Sequence, residues 1–179
     1  MGLTLVTPAA SPVTIAEAQA WCRTGSSPFD AGALQIMLDG ATSAVEEHLG
    51  RSLGAQTWRL ELDGFADEIE LPRGPVTALT AFTYVDEDGA TATVAAALYT
   101  LDLVSYPARI VLDPEASWPG TDDGIAVVKI TFAAGYAALP GGLKAEILGL
   151  TAAAYDTRIA PTIDDAARRR LSPWRRILI

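Results

Sequence analysis

Between Ala44 and Trp58 the chain changes its hydrophobic period, and that change limits what it can become. Upstream, Leu34, Met37, Leu38, Ala41, Ala44, Val45 and Leu49 recur every three or four positions, the spacing of one helix face. Downstream, Trp58, Leu60 and Leu62 alternate with Arg59, Glu61 and Asp63, the spacing of a strand. Gly50 stands where a left-handed residue closes a helix cheaply, and Gly54 allows a second turn before Gln56. A helical part therefore hands over to a β part across one short connection.

The punctuation on either side gives the order of elements. Residues 1–12 read as extended and broken by proline. Thr14-Ile15-Ala16-Glu17 has capping-box spacing and predicts a short helix to about Trp21 or Cys22. Gly25-Ser26-Ser27-Pro28 breaks it, and Asp30 is placed to cap a second helix to Leu49, about 20 residues and roughly 30 Å long. From Gln56 to Phe132 the pattern predicts an antiparallel sheet with strands at 56–63, 68–71, 76–85, 91–94, 99–103, 109–112 and 125–132. Leu71-Pro72-Arg73-Gly74-Pro75 and Asp86-Glu87-Asp88-Gly89 supply turns, and Trp118 to Gly124 a longer surface loop. After Pro140-Gly141-Gly142, Leu143, Ile147, Leu150 and Ala154 share a helical face that Pro161 terminates. Asp164 to Leu171, acidic at its start and triply arginine at its end, predicts one more short helix. The fold class is α+β within a single chain unit: a small helical body of N-terminal helices plus a C-terminal helix (residues 12–55 and 140–171), an inserted antiparallel β subdomain (56–138) and a tail (172–179).

Charge narrows the function. Twenty-two acidic residues against thirteen Lys and Arg leave a net charge of -9, which disfavours tight binding of nucleic acid yet lets DNA slide past. From Lys144 onward the balance reverses, with seven basic residues against four acids. Cys22 is the single cysteine, so no intrachain disulfide forms and a reducing cytoplasm suits the chain. Met1 to Ala10 lacks the basic start of a signal peptide, and no apolar run approaches the roughly 20 residues of a membrane helix, so the chain reads as soluble.

Enzymatic readings fare badly. His48 is the only histidine and sits in an already explained helical pattern, so no triad or zinc site can be assembled around it. Glu46 and Glu47 are adjacent on a helix and point about 100° apart, which prevents them from flanking one bond. Asp86-Glu87-Asp88-Gly89 and Asp122-Asp123-Gly124 read as hairpin chemistry rather than calcium loops, and Gly135, Gly141 and Gly142 do not form a phosphate cradle. No catalytic, cofactor-binding or metal-ligating residue is assigned.

One cluster remains, at the C-terminus. Arg168, Arg169, Arg170, Trp174, Arg175, Arg176, Ile177, Leu178 and Ile179 combine the residue types of interface hot spots with an apolar end, and are the candidate partner-binding residues. An acidic protein surface is their preferred partner and nucleic-acid phosphate the alternative, while the plainer reading of the cluster is a solvated helix end and a loose terminus. A rival reading is a monomeric β-rich module that binds carbohydrate or peptide through Trp58, Tyr84, Tyr106 and Trp118. Alternation places Trp58 and Tyr84 in a core, which leaves Trp118 as that module's best platform.

Four segments, taken in order, resemble the head-tail connector (adaptor) proteins of long-tailed bacteriophages and gene transfer agents, in the branch with a β insertion between helices. They are Leu5-Val6-Thr7-Pro8 to Ala18; Val45-Glu46 to Gly50-Arg51 with Gln56-Thr57-Trp58; Leu71 to Val76 with Tyr84-Val85-Asp86 and Asp88-Gly89; and Phe132 to Tyr136 with Pro140 and Leu143-Lys144-Ala145. Pro173-Trp174-Arg175 is similar to the family's proline-aromatic-arginine ending. The resemblance implies a structural virion protein of the neck, made in the bacterial host cytoplasm and needing no cofactor. It implies a ring, commonly of twelve copies, that contacts the portal protein on one side and a tail-side connector or stopper on the other. DNA would pass through the lumen without specific binding, and no membrane is involved.

Overall fold

The computed structural model describes residues 1–24 and 28–175, without the side chains of 28–30. The break expected at Gly25-Ser26-Ser27 and the last four residues lie outside the described part. The chain divides into two units, Met1–Ala9 with Ala55–Tyr136 and Ala10–Gly54 with Ala137–Ile179. The class is α+β, as the two hydrophobic periods require.

The helical unit holds α1 (Ile15–Cys22), α2 (Pro28–Leu49), α3 (Gly141–Thr157) and α4 (Asp165–Leu171). α1 starts at the expected capping box: the Thr14 hydroxyl accepts the Glu17 N–H at 3.3 Å, while Glu17 Oε2 accepts the Thr14 N–H at 2.9 Å. α2 begins at Pro28, where a missing N–H costs nothing, so Asp30 lies in its first turn and is not its cap. Gly50 ends α2 with φ 64°, and Leu53 N–H then donates to Glu46 Oε1 at 2.7 Å, which fixes the connection. Glu46 is thus occupied in structure. α2 buries Leu34, Leu38, Ala41, Val45 and Leu49, and α3 buries Leu143, Ile147, Leu148 and Ala154 where the two pack. α3 ends at Arg158, left-handed at φ 60°, three residues before the proline expected to stop it.

Lys144 Nζ donates to Glu17 Oε1 at 2.6 Å and ties α3 to α1. That hydrogen bond, then those from the Thr14 amide and hydroxyl, hold the Glu17 carboxyl down to about 2 from 4.5. The depressed value means that the unfolded chain binds this proton first. The stability contributed is therefore complete above the unfolded pKa and is lost as pH falls from 4.5 towards about 2. Glu17→Gln should flatten the acid limb of a denaturation profile in that window; an unaltered limb would contradict the assignment.

The β unit contains two sheets where the sequence suggested one. β1 (Gly2–Thr7), β2 (Gln56–Leu62), β4 (Val76–Val85), β5 (Thr91–Thr93) and β8 (Val128–Ala134) form an antiparallel sheet in the order β1-β2-β8-β4-β5. β3 (Glu68–Leu71), β6 (Tyr99–Asp102) and β7 (Ala108–Leu112) form another in the order β3-β7-β6. The N-terminal segment, read as merely extended, is an edge strand on β2, with Leu3 opposite Leu60. β8 starts later than its apolar pattern suggested, because Ala126 has φ 57° and its N–H donates to Asp63 Oδ1 at 2.9 Å. Ile125 is left 90% exposed. Phe132, Ile130 and Leu60 form the centre of the β core with Phe82, Ile110 and Leu71.

Candidate assembly surface

The C-terminal segment is positioned by short-range chemistry. Asp164 caps α4, its Oδ1 accepting the Ala167 N–H at 2.7 Å. Ala167 and Leu171 are fully buried, so α4 is seated by an apolar face and its remaining positions are forced outward. The three arginines fall in its last turn, at the negative end of the helix dipole.

Their fates differ. Arg170 makes a two-point pair with Glu146 of α3, Nε to Oε2 at 2.6 Å and a terminal nitrogen to Oε1 at 2.9 Å. Glu146 is only 8% exposed, and its hydrogen bond and charge raise the Arg170 pKa. Arg168 meets Asp165 at 3.6 Å, and Arg169 and Arg175 are exposed. Trp174, half-buried, lies on Gly142: a Cβ there would come within 2.5 Å of the indole ring. Arg176, Ile177, Leu178 and Ile179 lie outside the described residues. Arg170 and Trp174 therefore clamp the segment onto α3, and Arg168, Arg169 and Arg175 are what it presents.

Sequence reasoning did not find Glu146 or Gly142 as the other half of this clamp. The signal available was a carboxylate at 146 within the buried helical stripe of Leu143 and Ile147. His48, assigned no chemistry, has a buried Nε2 with no hydrogen-bond partner among the described residues. Burial first, then the nearby Arg175 and Arg168 charges, lower its pKa.

Beside the clamp an open groove runs along the outer face of α3. A cavity of about 570 Å³ has Gly142, Ala145, Gly149 and Ala153 on its floor and Trp174 and Arg170 on its wall. It continues past Leu150 and Asp164 into a hollow of about 250 Å³ edged by Ile159.

The β unit presents a different surface. Thirteen acidic residues and four basic ones fall in it, whereas the helical unit carries nine of each. Asp63 follows β2, Asp86, Glu87 and Asp88 join β4 to β5, and Asp122 and Asp123 precede β8, so these six share one end of the five-stranded sheet. The aromatic residues of the rival reading are not a platform. Trp118 stacks on Phe65 at 4.7 Å and 9°, and its indole N–H donates to the Ala66 carbonyl at 3.0 Å. Trp58 lies under Arg73 at 5.3 Å, Tyr84 packs on Phe65 at 5.7 Å, and the ring of Tyr106 covers Gly74. Among the described residues no group of three or more His, Cys, Asp or Glu is placed to hold a metal ion, and no helix is long and apolar enough to cross a membrane.

Comparison with solved structures finds this fold in gene transfer agent particles. The chain is similar to a chain in the neck of an empty gene transfer agent particle computed with C6 symmetry, at TM-score 0.81 and 27% identity, covering 100% of this chain and 97% of that one. It is similar to a chain of the virion of a native gene transfer agent particle at TM-score 0.80 and 27% identity, with the same coverage of both chains. A chain in the neck of a native particle computed with C12 symmetry matches at TM-score 0.76 and 26% identity, again over 100% of this chain and 97% of that one. No protein-family model matches the sequence, and no curated protein does.

Proposed function

We propose, on the premise that this chain belongs to the head-tail connector (adaptor) family represented in gene transfer agent necks, that it is a structural neck subunit. Copies of it form a ring between the portal of a DNA-filled capsid and the tail. The observation that supports this most is likeness to a neck chain along the whole sequence, covering both the helical and the β unit.

The work of such a subunit is contact, with no bond made or broken. The helical unit supplies rigid faces for neighbouring copies. The β unit, with its acidic excess, repels the phosphate backbone of passing DNA, so the genome is admitted without being held. The clamped C-terminal segment delivers Arg175, and the residues that follow it, to the portal from a fixed anchor, which lowers the ordering cost of docking. A tail-side connector or stopper meets the opposite side of the ring.

Portal capture tests this. Deleting residues 176–179 and reversing charge with Arg175→Glu should lower portal capture by about 30-fold, the usual weight of an interface hot spot. The thermal midpoint, measured in parallel, should not move. Undiminished capture would overturn the role of this segment.

A further inference from the structure

We propose that the groove along α3 is the seat of this chain's own last residues: in the free subunit the segment after Arg175 turns back past Trp174 and lays Ile177 and Ile179 into it. The seat itself is independent of the neck reading, and only its consequence for docking rests on that reading.

The groove calls for an apolar occupant. Its charged groups are already engaged, Glu146 with Arg170, and Asp164 Oδ1 with the Ala167 N–H. What stays open is apolar: Trp174 and Leu150 beside the short side chains of Ala145 and Ala153 and, in the adjoining hollow, Ile159, which is 65% exposed. Covering such surface is favourable in proportion to its area.

Position names the occupant. Trp174 rests on Gly142, so the chain arrives at one end of the groove, where Arg175 has extended backbone at φ -76° and ψ 143°. Arg176 and three large apolar residues follow in the sequence. Four extended residues reach roughly 13 Å, and Gly142 to Gly149 is roughly 10 Å of helix. Alternate residues of an extended segment point the same way roughly 6.6 Å apart, close to the roughly 6 Å from Ala145 to Gly149. Ile177 and Ile179 therefore fall over these two positions, with Arg176 left in water at the mouth. A segment tethered one residue from the groove wall has an effective concentration there of about the millimolar range, which favours it over an untethered occupant.

Trp174 is then the anchor for two states of the segment. In one, the apolar end is stored in the groove; in the other, it has left for a partner. The portal captures it only from subunits in which the groove is empty, so occupancy of the groove lowers the apparent affinity.

Methyl NMR of the free, full-length subunit tests the seat. With Ile, Leu and Ala methyl groups labelled, Ile177 and Ile179 should show NOEs to Ala145 and Leu150. Ile177→Ser combined with Ile179→Ser should shift the Ala145 and Leu150 signals and leave the thermal midpoint in place. Absence of these NOEs, or NOEs found only between differently labelled copies in a mixed sample, would overturn the intrachain seat. A second arm uses Gly149→Cys in a Cys22→Ser background, since a Cβ on Gly149 meets nothing within 4 Å. Its thiol should react with a maleimide about 10-fold more slowly in the full chain than in one ending at Arg175. Ser43→Cys, on the exposed side of α2, should react equally in both. Equal rates at position 149 would contradict the proposal, and because no portal is present in either arm, that result would leave the neck reading standing.

Discussion

Phe132→Ala should cost about 3–5 kcal/mol in urea denaturation, the range for removing a fully buried aromatic side chain. Phe132 is 0% exposed in β8, the central strand of the five-stranded sheet, where it pairs across to Trp58 on one side and Leu79 on the other. Strands flank it on both edges, so the sheet has little room to collapse into the vacated space. A protein of this size is stable by only about 5–15 kcal/mol, so the variant should lose a large share of its stability. Phe132→Leu, which keeps most of the volume, should cost less than about 1.5 kcal/mol. A cost below 1 kcal/mol for the alanine variant would mean that the β core is not organised around this strand.

Gly142→Leu should displace Trp174 and release the C-terminal segment. A Cβ at this position would come within 2.5 Å of the indole ring, closer than atoms approach, and the branched side chain would fill the indole's seat. Amide protection in α4 should fall while that in α2 and the β unit is retained, because with Trp174 displaced a seven-residue helix keeps only the Arg170 pair and the buried Ala167 and Leu171. Portal capture should drop by about 30-fold, as for removal of the tail, since the binding residues lose the anchor that pre-pays their ordering. Gly149→Leu makes the same chemical change about two turns further along α3, where the Cβ is unobstructed, and should keep α4 protected. Equal protection loss in both variants would show that Trp174 is not the clamp.

Most of the architecture could be read from local pattern because local pattern is what caused it. The capping box at Thr14, the left-handed close at Gly50 and the alternation of Trp58, Leu60 and Leu62 are each decided within a few residues. Features decided by distant partners were not legible. β1 is a strand because β2, some fifty residues on, offers it an edge. The division into two sheets follows from which strands pair, and alternation along a single strand carries no information about that. Ile125 looks like a strand residue, yet the Asp63 hydrogen bond to Ala126 turns the backbone first.

The site was legible in the same uneven way. Its residue types at 168–175 marked a surface for contact, but their division of labour depends on α3. Arg170 faces Glu146 and is consumed by it; Arg169, one position earlier, faces outward. No reading of an arginine triplet separates these roles, because each side chain points about 100° from the last on a helix. Ile36 of α2 is a further case: it interrupts a polar face, and only the fold shows it left 75% exposed.

The most direct test of the account is a localised reconstruction of the neck in purified particles from the source of this sequence. The expected result is a closed ring of this chain beneath the portal, with the C-terminal segments turned towards the portal. Particles with intact tails and no density for this chain would contradict it.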